Sequence, residues 1–252
     1  MAQADERYDR VVARLIPGYA SLARLGVALL ATSPQASVPG ASVLVVGCGT
    51  GAELLEARRQ RPDWRLTGLD PSAAMLSLAR RRLGESSAID WRLGTMETLD
   101  CDSVFDGALA VLVLQSLPDD GSKLAFLTGL ARSLRPGGQV VLVDLMKPER
   151  SPLQDQLRHA RFAFQQASGL DPVVSPPDQQ GGDPTGPAEA PGASQPPTER
   201  HVTAETVTAL TTGLHPIGLS RLTALVEAAG FVDPAPVFQA LDVEGFLLQR
   251  RS

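Results

Sequence analysis

The spacing of apolar residues divides the first 150 positions into alternating strands and helices. Continuous apolar runs rich in β-branched residues predict buried strands, whereas apolar residues that recur every three or four positions predict helices with one packed face. The predicted strands are 43–47, 64–69, 89–93, 105–114 and 139–145. The predicted helices are 5–16, 19–31, 52–60, 73–83 and 122–134. This alternation favours an α/β fold with a doubly wound, mostly parallel sheet.

The last part of the chain follows a different pattern. Apolar spacing predicts a helix over 153–167 and another over 219–229, which ends at Gly230, a residue suited to close a helix. Two strands, 231–238 and 241–248, follow with a very short gap between them. Strands separated by so few residues pair as an antiparallel hairpin, so the parallel sheet is expected to finish with reversed strands.

The chain is organised around residues 43–53, which read VLVVGCGTGAE. An apolar strand runs directly into glycines at alternate positions, Gly47, Gly49 and Gly51, and a helix begins at Ala52. Glycine lets the backbone adopt positive φ and lets a ligand touch the main chain, while the helix start supplies free N–H groups. The stretch predicts a loop that binds an anionic or hydrogen-bond-accepting group. Gly47, Gly49 and Ala52 fit a dinucleotide loop, whereas the three alternating glycines resemble the S-adenosylmethionine loop of class I methyltransferases, so the loop alone leaves both ligands open.

Asp70 ends the second predicted strand, 23 residues after Gly47. An acid in that place can accept hydrogen bonds from both hydroxyls of a ribose. The run Asp70-Pro71-Ser72 also makes a good helix start, and both roles are compatible if Ser72 caps the helix while Asp70 binds. Ligands of such sheets lie beyond the carboxyl ends of the strands. We therefore expect one edge of the sheet to gather the glycine loop, Asp70, Thr95, Met96, Leu114, Gln115 and Asp144.

Composition limits the kinds of partner. The 252 residues carry a net charge of −5, so nothing favours nucleic acid, and the arginine clusters at 58–61 and 80–82 are interpreted as solvated helix faces. No apolar run approaches the roughly 20 residues of a membrane helix, and the start MAQADERYDR is unlike a signal peptide. The two cysteines, Cys48 and Cys101, indicate neither a disulfide framework nor a metal site. We expect a cytoplasmic protein without a metal or a membrane partner, and a homodimer stays open.

Four longer stretches resemble class I S-adenosylmethionine-dependent methyltransferases. They read VLVVGCGTGAELL, GLDPSAAMLSLARRRL, FDGALAVLVLQSL with LARSLRPGGQVVLVDL, and LTALVEAAGF before the hairpin. The resemblance spans about residues 43–249, apart from a proline-rich insert. It implies a Rossmann-like seven-stranded sheet with one reversed strand, S-adenosyl-L-methionine as cofactor, and methyl transfer to an acceptor, which we expect to be a small molecule.

The insert differs sharply in composition from the rest. Residues 171–200 contain eight prolines, four glycines and no aromatic residue, so they cannot bury enough apolar surface to offset the entropy of ordering. We therefore expect a helical cap (1–40), a cofactor-binding core (41–150), a lid helix (151–170), a disordered insert (171–200), and C-terminal helices with a hairpin that complete the same domain (201–252).

The resemblance also implies roles for individual residues. The aminoacyl part of the cofactor would lie against Gly47, Cys48 and Gly49, and the ribose would bind Asp70. The adenine would lie near Pro71, between Thr95 and Met96. The full expected set of cofactor-binding residues is Tyr19, Gly47, Cys48, Gly49, Thr50, Gly51, Asp70, Pro71, Thr95, Met96 and Val111.

A narrower similarity connects the chain with the carboxy-S-adenosylmethionine synthases of tRNA wobble-uridine modification. It is carried by RYDRVVARLIPGYASLARLG and LVLQSL, and in that subgroup the tyrosine of PGY, here Tyr19, touches the cofactor. Three positions depart from the subgroup: Thr95 replaces an acid, Val111 an asparagine, and Leu225 the arginine that grips the extra carboxylate. Arg221 lies one helical turn before Leu225, and its spacing predicts that it faces a similar direction. These departures favour plain S-adenosylmethionine.

The sequence does not assign the catalytic residues. If the acceptor is an alcohol, phenol or amine, a proton must leave, and the candidate acceptors of that proton are Glu53, Asp144 and His159. One alternative is a carboxy-S-adenosylmethionine synthase that uses prephenate. Another is an S-adenosylmethionine-binding module without catalysis, favoured by Thr95, Val111 and the missing base. A nicotinamide dehydrogenase is disfavoured by the terminal hairpin and the alternating glycines.

Overall fold

The computed structural model describes residues 2–84, 89–148, 154–169 and 213–252. The helices in this part of the chain are α1 (Ala2–Leu15), α2 (Tyr19–Ala31), α3 (Ala52–Gln60), α4 (Ala73–Leu83), α5 (Ser122–Ser133), α6 (Gln154–Ala167) and α7 (Leu219–Ala228). The strands are β1 (Ser42–Val46), β2 (Arg65–Asp70), β3 (Ile89–Leu93), β4 (Phe105–Val111), β5 (Leu134–Leu145), β6 (Ala235–Ala240) and β7 (Val243–Gln249). The insert predicted over 171–200 lies outside the described residues.

The strands within these ranges form one seven-stranded sheet in the order β3-β2-β1-β4-β5-β7-β6. The first five strands pair in parallel, and β7 pairs antiparallel with both β5 and β6. The predicted doubly wound sheet with a terminal hairpin is confirmed. The hairpin is inserted so that β7, the later strand, lies inside the sheet and β6 forms its edge.

The central strands are apolar at nearly every position because helices cover both faces of the sheet. On β1, Val43 and Val45 pack into one buried cluster, while Leu44 and Val46 pack into another on the opposite face. The first cluster contains apolar residues of α1, α2, α3 and α4, and the second contains those of α5 and α7. A strand covered on both sides explains the continuous apolar run that the sequence shows.

Most predicted bounds agree with the structure, and α2, α3, α4 and β3 agree at both ends. The strand predicted to reach Leu114 ends at Val111, because the chain turns at Leu112 with φ +58° and then forms a short 3-10 turn, Leu114–Ser116. That early turn places the residues after β4 beside the glycine loop.

Two other regions differ from their predicted structure. The stretch 135–138, predicted as the turn that closes α5, is part of β5, which pairs with β4 across a bulge between Phe105 and Gly107. The strand predicted over 231–238 forms only at Ala235–Ala240, and Phe231 contributes an isolated bridge to Arg250. Both places contain proline, and in both the strand assignment depends on distant partners that local pattern does not reveal.

In the described ranges, no single helix combines the length and the apolar character needed to cross a membrane. One bent pair, residues 9–15 with α2, meets the requirements of length and composition, and its two parts meet at 97°.

Candidate active site

A cavity of about 290 Å³ lies at the carboxyl ends of the parallel strands. Its volume is near the lower limit for small-molecule sites. The walls come from α1, α2, the start of α3, and the loops that follow β1, β2, β3 and β4. The lining residues are Val12, Tyr19, Val46, Gly47, Cys48, Gly49, Thr50, Ala52, Glu53, Leu69, Asp70, Pro71, Met75, Gly94, Thr95, Met96, Val111, Leu112, Val113, Ser116, Leu117 and Phe126. The cavity therefore occupies the edge that the strand order predicts for a ligand.

The backbone of the glycine loop has positive φ at Gly47 (+62°), Gly49 (+49°) and Gly51 (+84°). At Gly47 a side chain is excluded by contact as well as by conformation, because an added Cβ would lie 2.5 Å from Cγ2 of Val113. Gly51 is the N-cap of α3, and an added Cβ there would lie 2.7 Å from Cδ1 of Leu83. Gly51 lies outside the wall of the cavity, so it permits helix packing, whereas Gly47 presents bare main chain to the cavity.

The Asp70 carboxylate supports the glycine loop and also lines the cavity. Its Oδ2 accepts the N–H of Gly49 at 2.8 Å, and its Oδ1 accepts the N–H of Ser72 at 2.8 Å. Ser72 in turn caps α4, since its Oγ accepts the N–H of Met75 at 3.3 Å. The prediction that Ser72 caps the helix is confirmed. Each Asp70 oxygen has a second lone pair, with which it can accept a further donor from the cavity.

The structure brings the other expected binding residues around the same cavity. Those in its wall are Tyr19, Gly47, Cys48, Gly49, Thr50, Asp70, Pro71, Thr95, Met96 and Val111, and only Gly51 of the expected set is elsewhere. Met96 is almost fully buried, and Thr95 donates its hydroxyl to Glu97 at 2.8 Å. These residues converge on one cavity in the structure. That they bind a cofactor stays a prediction.

Two of the three candidate proton acceptors lie away from the cavity. Asp144 is buried on β5, where its carboxylate accepts the N–H groups of Leu114 at 2.7 Å, Gln115 at 3.1 Å and Leu145 at 2.9 Å. Burial raises the pKa of Asp144 to about 7. These bonds fix the turn after β4, so the role of Asp144 is structural. His159 is exposed on α6.

Glu53 is the third candidate, and it does line the cavity. It lies in the first turn of α3 with 8% of its surface exposed. Burial raises the pKa of Glu53 to about 7, and the negative charge of Asp9 adds to the rise, while Arg82 opposes it. A carboxyl group with a pKa near neutrality, facing a ligand-sized cavity, is a candidate for function.

A polar cluster between α1, the glycine loop and α4 was missed by the sequence reasoning. Thr50 donates its hydroxyl to Oδ1 of Asp9 at 2.7 Å, and Arg82 donates to Oδ2 of Asp9 at 2.5 Å. Arg82 also donates to Oγ1 of Thr50 at 3.3 Å. We call Asp9, Thr50 and Arg82 the α1 latch, because they join the first helix to the loop that carries Gly49.

The interpretation of the arginine clusters as solvated helix faces is wrong for several members. Besides Arg82, Arg58 donates to the carbonyl of Leu83 at 2.8 Å. Arg61 pairs with Asp63 at 2.8 Å and donates to backbone carbonyls of the loop after α2. These arginine side chains donate hydrogen bonds to backbone carbonyls of other segments, a role that sequence spacing on a helix does not reveal.

Arg221 does not reach the cavity. It forms a two-pronged pair with Asp119, with N–O distances of 2.9 and 3.0 Å, and Leu225 is buried in the apolar cluster that contains residues of α5 and α7. The expectation that Arg221 faces the place of the subgroup's carboxylate-binding arginine is not met. No lysine, arginine or histidine belongs to the cavity wall formed by the described residues, whereas Glu53 and Asp70 do.

Residues 43–138 match a family model described as a methyltransferase domain. The matched segment begins with β1 and ends within β5, so it contains the glycine loop, Asp70 and the turn after β4. The resemblance to class I S-adenosylmethionine-dependent methyltransferases is thereby confirmed.

Named relatives and a solved structure agree with that domain. The chain is 36% identical over 111 residues to the demethylmenaquinone methyltransferase of Tropheryma whipplei, a match that covers 44% of each protein. The chain spans less than half the length of this relative. The same holds for other relatives that are more than a third identical to it over the matched residues. It is 27% identical over 172 residues to the carboxy-S-adenosyl-L-methionine synthase of Aeromonas salmonicida, covering 66% of this chain and 68% of the relative. Human N-acetylserotonin methyltransferase in complex with S-adenosylmethionine shares the fold, with a TM-score of 0.58, 15% identity, and coverage of 96% of this chain and 56% of that one.

Proposed function

We propose that the protein is an S-adenosylmethionine-dependent methyltransferase that transfers a methyl group to a small-molecule acceptor. One observation carries the proposal: a bare glycine backbone and the Asp70 carboxylate face the same cavity, and a direct hydrogen bond from Gly49 to Asp70 fixes their relation. A main chain without side chains accommodates close approach of a ligand, and a carboxylate at the end of the second strand accepts ribose hydroxyls.

The charges in the cavity also fit this cofactor. S-adenosylmethionine has a sulfonium, an ammonium and a carboxylate, so it carries one net positive charge near neutral pH. The described cavity wall contains two acids, Glu53 and Asp70, and no basic side chain. A cationic ligand is attracted by such a wall, whereas an anionic ligand such as a nicotinamide dinucleotide gains only the N–H groups of the loop.

The cofactor, when bound, supplies a methyl group on a positively charged leaving group, so most of the chemical activation does not come from the protein. The residues of the chain align the acceptor with that methyl group and exclude water. Gly47 and Gly49 would hold the aminoacyl part and Asp70 the ribose. Tyr19 and Val12, from the two N-terminal helices, would close the cavity on its outer side.

The side chains that remain for the acceptor are mostly apolar. Val12, Leu112, Val113 and Leu117 line the cavity, with Ser116 as a hydroxyl among them. This wall supports an uncharged, largely apolar small molecule as the acceptor. The relatives named as demethylmenaquinone and ubiquinone-pathway methyltransferases support an acceptor of aromatic or quinone type. A cytoplasmic location is part of the proposal and is supported by two free thiols, Cys48 and Cys101.

A second candidate function is the synthesis of carboxy-S-adenosylmethionine from prephenate. The match to such a synthase over 172 residues favours it. The electrostatics of the cavity oppose it, because both prephenate and the carboxylated product bring extra negative charge to a wall that already has two acids. Incubation of the protein with S-adenosylmethionine and prephenate, followed by mass detection of the carboxylated product, distinguishes this activity from methyl transfer.

The binding test for the proposed function uses Asp70. We expect Asp70→Ala to weaken S-adenosylmethionine binding tenfold or more, about 1.4 kcal/mol, because a charge-assisted hydrogen bond to the ribose is lost. Isothermal titration calorimetry measures the affinity. Asp90→Ala, which removes an exposed acid paired with Arg92 on β3, is the matched control and should bind as the wild type does.

Equal affinity of the Asp70→Ala variant and the wild type would contradict the role of Asp70. Tight cofactor binding together with no transfer to any aromatic or quinone acceptor in a screen would support the binding module without catalysis. Preference for a nicotinamide dinucleotide over S-adenosylmethionine in the same titration would overturn the proposal.

A further inference from the structure

Glu53 is a second carboxylate beside the glycine loop, and neither the loop pattern nor the proposed function assigns it a role. It lines the cavity next to Thr50 and Ala52 and is nearly buried. The Asp70 carboxylate accepts two backbone N–H groups, those of Gly49 and Ser72. Glu53 instead belongs to the first turn of α3, where the charges of Asp9 on α1 and Arg82 on α4 act on it. The two acids therefore approach the loop from different elements.

The Cys48 thiol lies in the middle of the loop, close enough to both acids for their charges to affect its pKa. Burial is the largest cause of its high pKa, about 12, and the negative charges of Asp70 and then Glu53 raise it further. Cys48 lies between Gly47 and Gly49, where the proposed function places the aminoacyl end of the cofactor. A positive charge bound there would be stabilised by the same two fields that disfavour a thiolate.

The charged and titratable groups around Glu53 do not neutralise it. Asp9 of α1 faces it with a like charge, and Arg82 of α4 faces it with an opposite charge. Arg82 is already engaged by Asp9 at 2.5 Å. Cys48 of the loop is a neutral thiol, and Tyr19 of α2 and Asp70 of β2 complete the titratable groups in the cavity wall.

We propose that Glu53 makes the cavity selective for the charged, methyl-bearing cofactor over its demethylated product. This inference rests on the proposed function. Methyl transfer converts the sulfonium into a neutral thioether, so the ligand loses one positive charge while its shape changes little. A carboxylate near the aminoacyl end loses part of its attraction at that moment. Glu53 thereby favours binding of the reactant and release of the product.

The same arrangement couples binding to a proton. Burial raises the pKa of the Glu53 carboxyl to about 7, so below that pH the protonated form of the free protein dominates. A bound cation favours the carboxylate, so binding of S-adenosylmethionine near or below neutral pH releases a proton. The affinity for S-adenosylmethionine should therefore rise with pH up to about 7 and level off above it. The affinity for S-adenosylhomocysteine, which lacks the sulfonium charge, should change less.

The experiment compares wild type, Glu53→Gln and Glu56→Gln by titration calorimetry with both ligands between pH 6 and pH 8. Two buffers of different ionisation enthalpy report the protons released. In Glu53→Gln we expect the ratio of the affinity for S-adenosylmethionine to that for S-adenosylhomocysteine to fall about tenfold. The proton release on binding should disappear. Glu56, one turn later on α3 and paired with Arg59 at 3.8 Å, is the control and should leave both unchanged.

Each outcome decides the inference. Retained S-adenosylhomocysteine affinity shows that the Glu53→Gln variant is folded. An unchanged preference and an unchanged proton release in that variant overturn the inference while leaving the proposed function intact. If the variant loses affinity for both ligands equally, Glu53 acts in packing and the inference is overturned. Lost turnover with unchanged binding of both ligands would place Glu53 at the acceptor and would overturn the inference as well. A wild type that binds neither ligand removes the proposed function and the inference together.

Discussion

Gly47 illustrates, at the scale of one residue, how the sequence keeps main chain accessible. Its positive φ would strain any other residue, and Val113 lies where a Cβ would have to be. These two restrictions are separable, because the first belongs to the backbone and the second to a neighbour. Gly230, just after the end of α7, also has a positive φ, +95°, with no atom within 4 Å of an added Cβ, so it isolates the backbone contribution.

We expect Gly47→Ala to lower the free energy of unfolding more than Gly230→Ala. The strain of positive φ costs about 1–2 kcal/mol in either case, and the contact with Val113 adds about 1–3 kcal/mol at Gly47. Urea unfolding measures the difference. The double variant Gly47→Ala, Val113→Ala should recover the contact part, whereas equal losses in the two single variants would show that Val113 moves aside freely.

At the scale of elements, α1 and the glycine loop are joined by a few polar contacts rather than by the sheet. The α1 latch consists of Asp9, Thr50 and Arg82, and the side chains of Asp9 and Arg82 are 19% and 30% exposed. Because α1 also brings Val12 to the cavity, its attachment determines how well the cavity is covered. An element held in this way opens more easily than the sheet beneath it.

We expect Asp9→Ala to increase hydrogen exchange in α1 while exchange in β1 and β4 stays unchanged. The variant also lacks the acceptor for the Thr50 hydroxyl, so the dissociation of a bound cofactor should become faster. Exchange followed by mass spectrometry, with and without S-adenosylmethionine, measures both effects. Unaltered exchange in α1 would mean that its apolar face, with Val11 and Leu15, holds the helix without the latch.

The elements also show what the sequence could predict. Helices α2, α3 and α4 were predicted with their bounds because their apolar spacing and their ends are local signals. The convergence of Asp70 and Met96 on one cavity followed from a rule about strand ends, whereas Val111 was named only through the family resemblance. The α1 latch could not be predicted, because Asp9 and Arg82 are 73 positions apart and an arginine cluster on a helix is compatible with plain solvent exposure. The extension of β5 through 134–138 depends on pairing with Phe105, which local pattern also does not contain.

At the scale of the whole molecule, Asp144 connects elements that are far apart in the chain. Its carboxylate holds the turn after β4, and Lys123 of α5, also fully buried, donates to the carbonyl of Leu114 in that turn. The neighbouring Gln115 accepts the N–H of His215 at 2.6 Å, which attaches the segment before α7. The polar network thus joins the turn after β4 to α5 and to the segment before α7.

We expect Asp144→Ala to lower the free energy of unfolding by about 3–5 kcal/mol, the range for breaking a buried charged network by removing one partner. Three backbone N–H groups would lose their acceptor and Lys123 its nearby negative charge. Urea unfolding measures the loss. Asp233→Ala, which removes an exposed acid, should change it by no more than about 0.5 kcal/mol. A loss as small as that for Asp144→Ala would show that water replaces the carboxylate.

The position of β7 has a consequence for how the protein is made. β5 emerges from the ribosome with one side ready to pair with β4, but its other side waits for residues 243–249, about 100 positions later. At a synthesis rate of roughly 5–20 residues per second, the nascent chain exposes a row of unpaired amide and carbonyl groups for about 5–20 seconds. The speed of translation and the binding of chaperones to this strand edge during that interval therefore affect the yield of native protein.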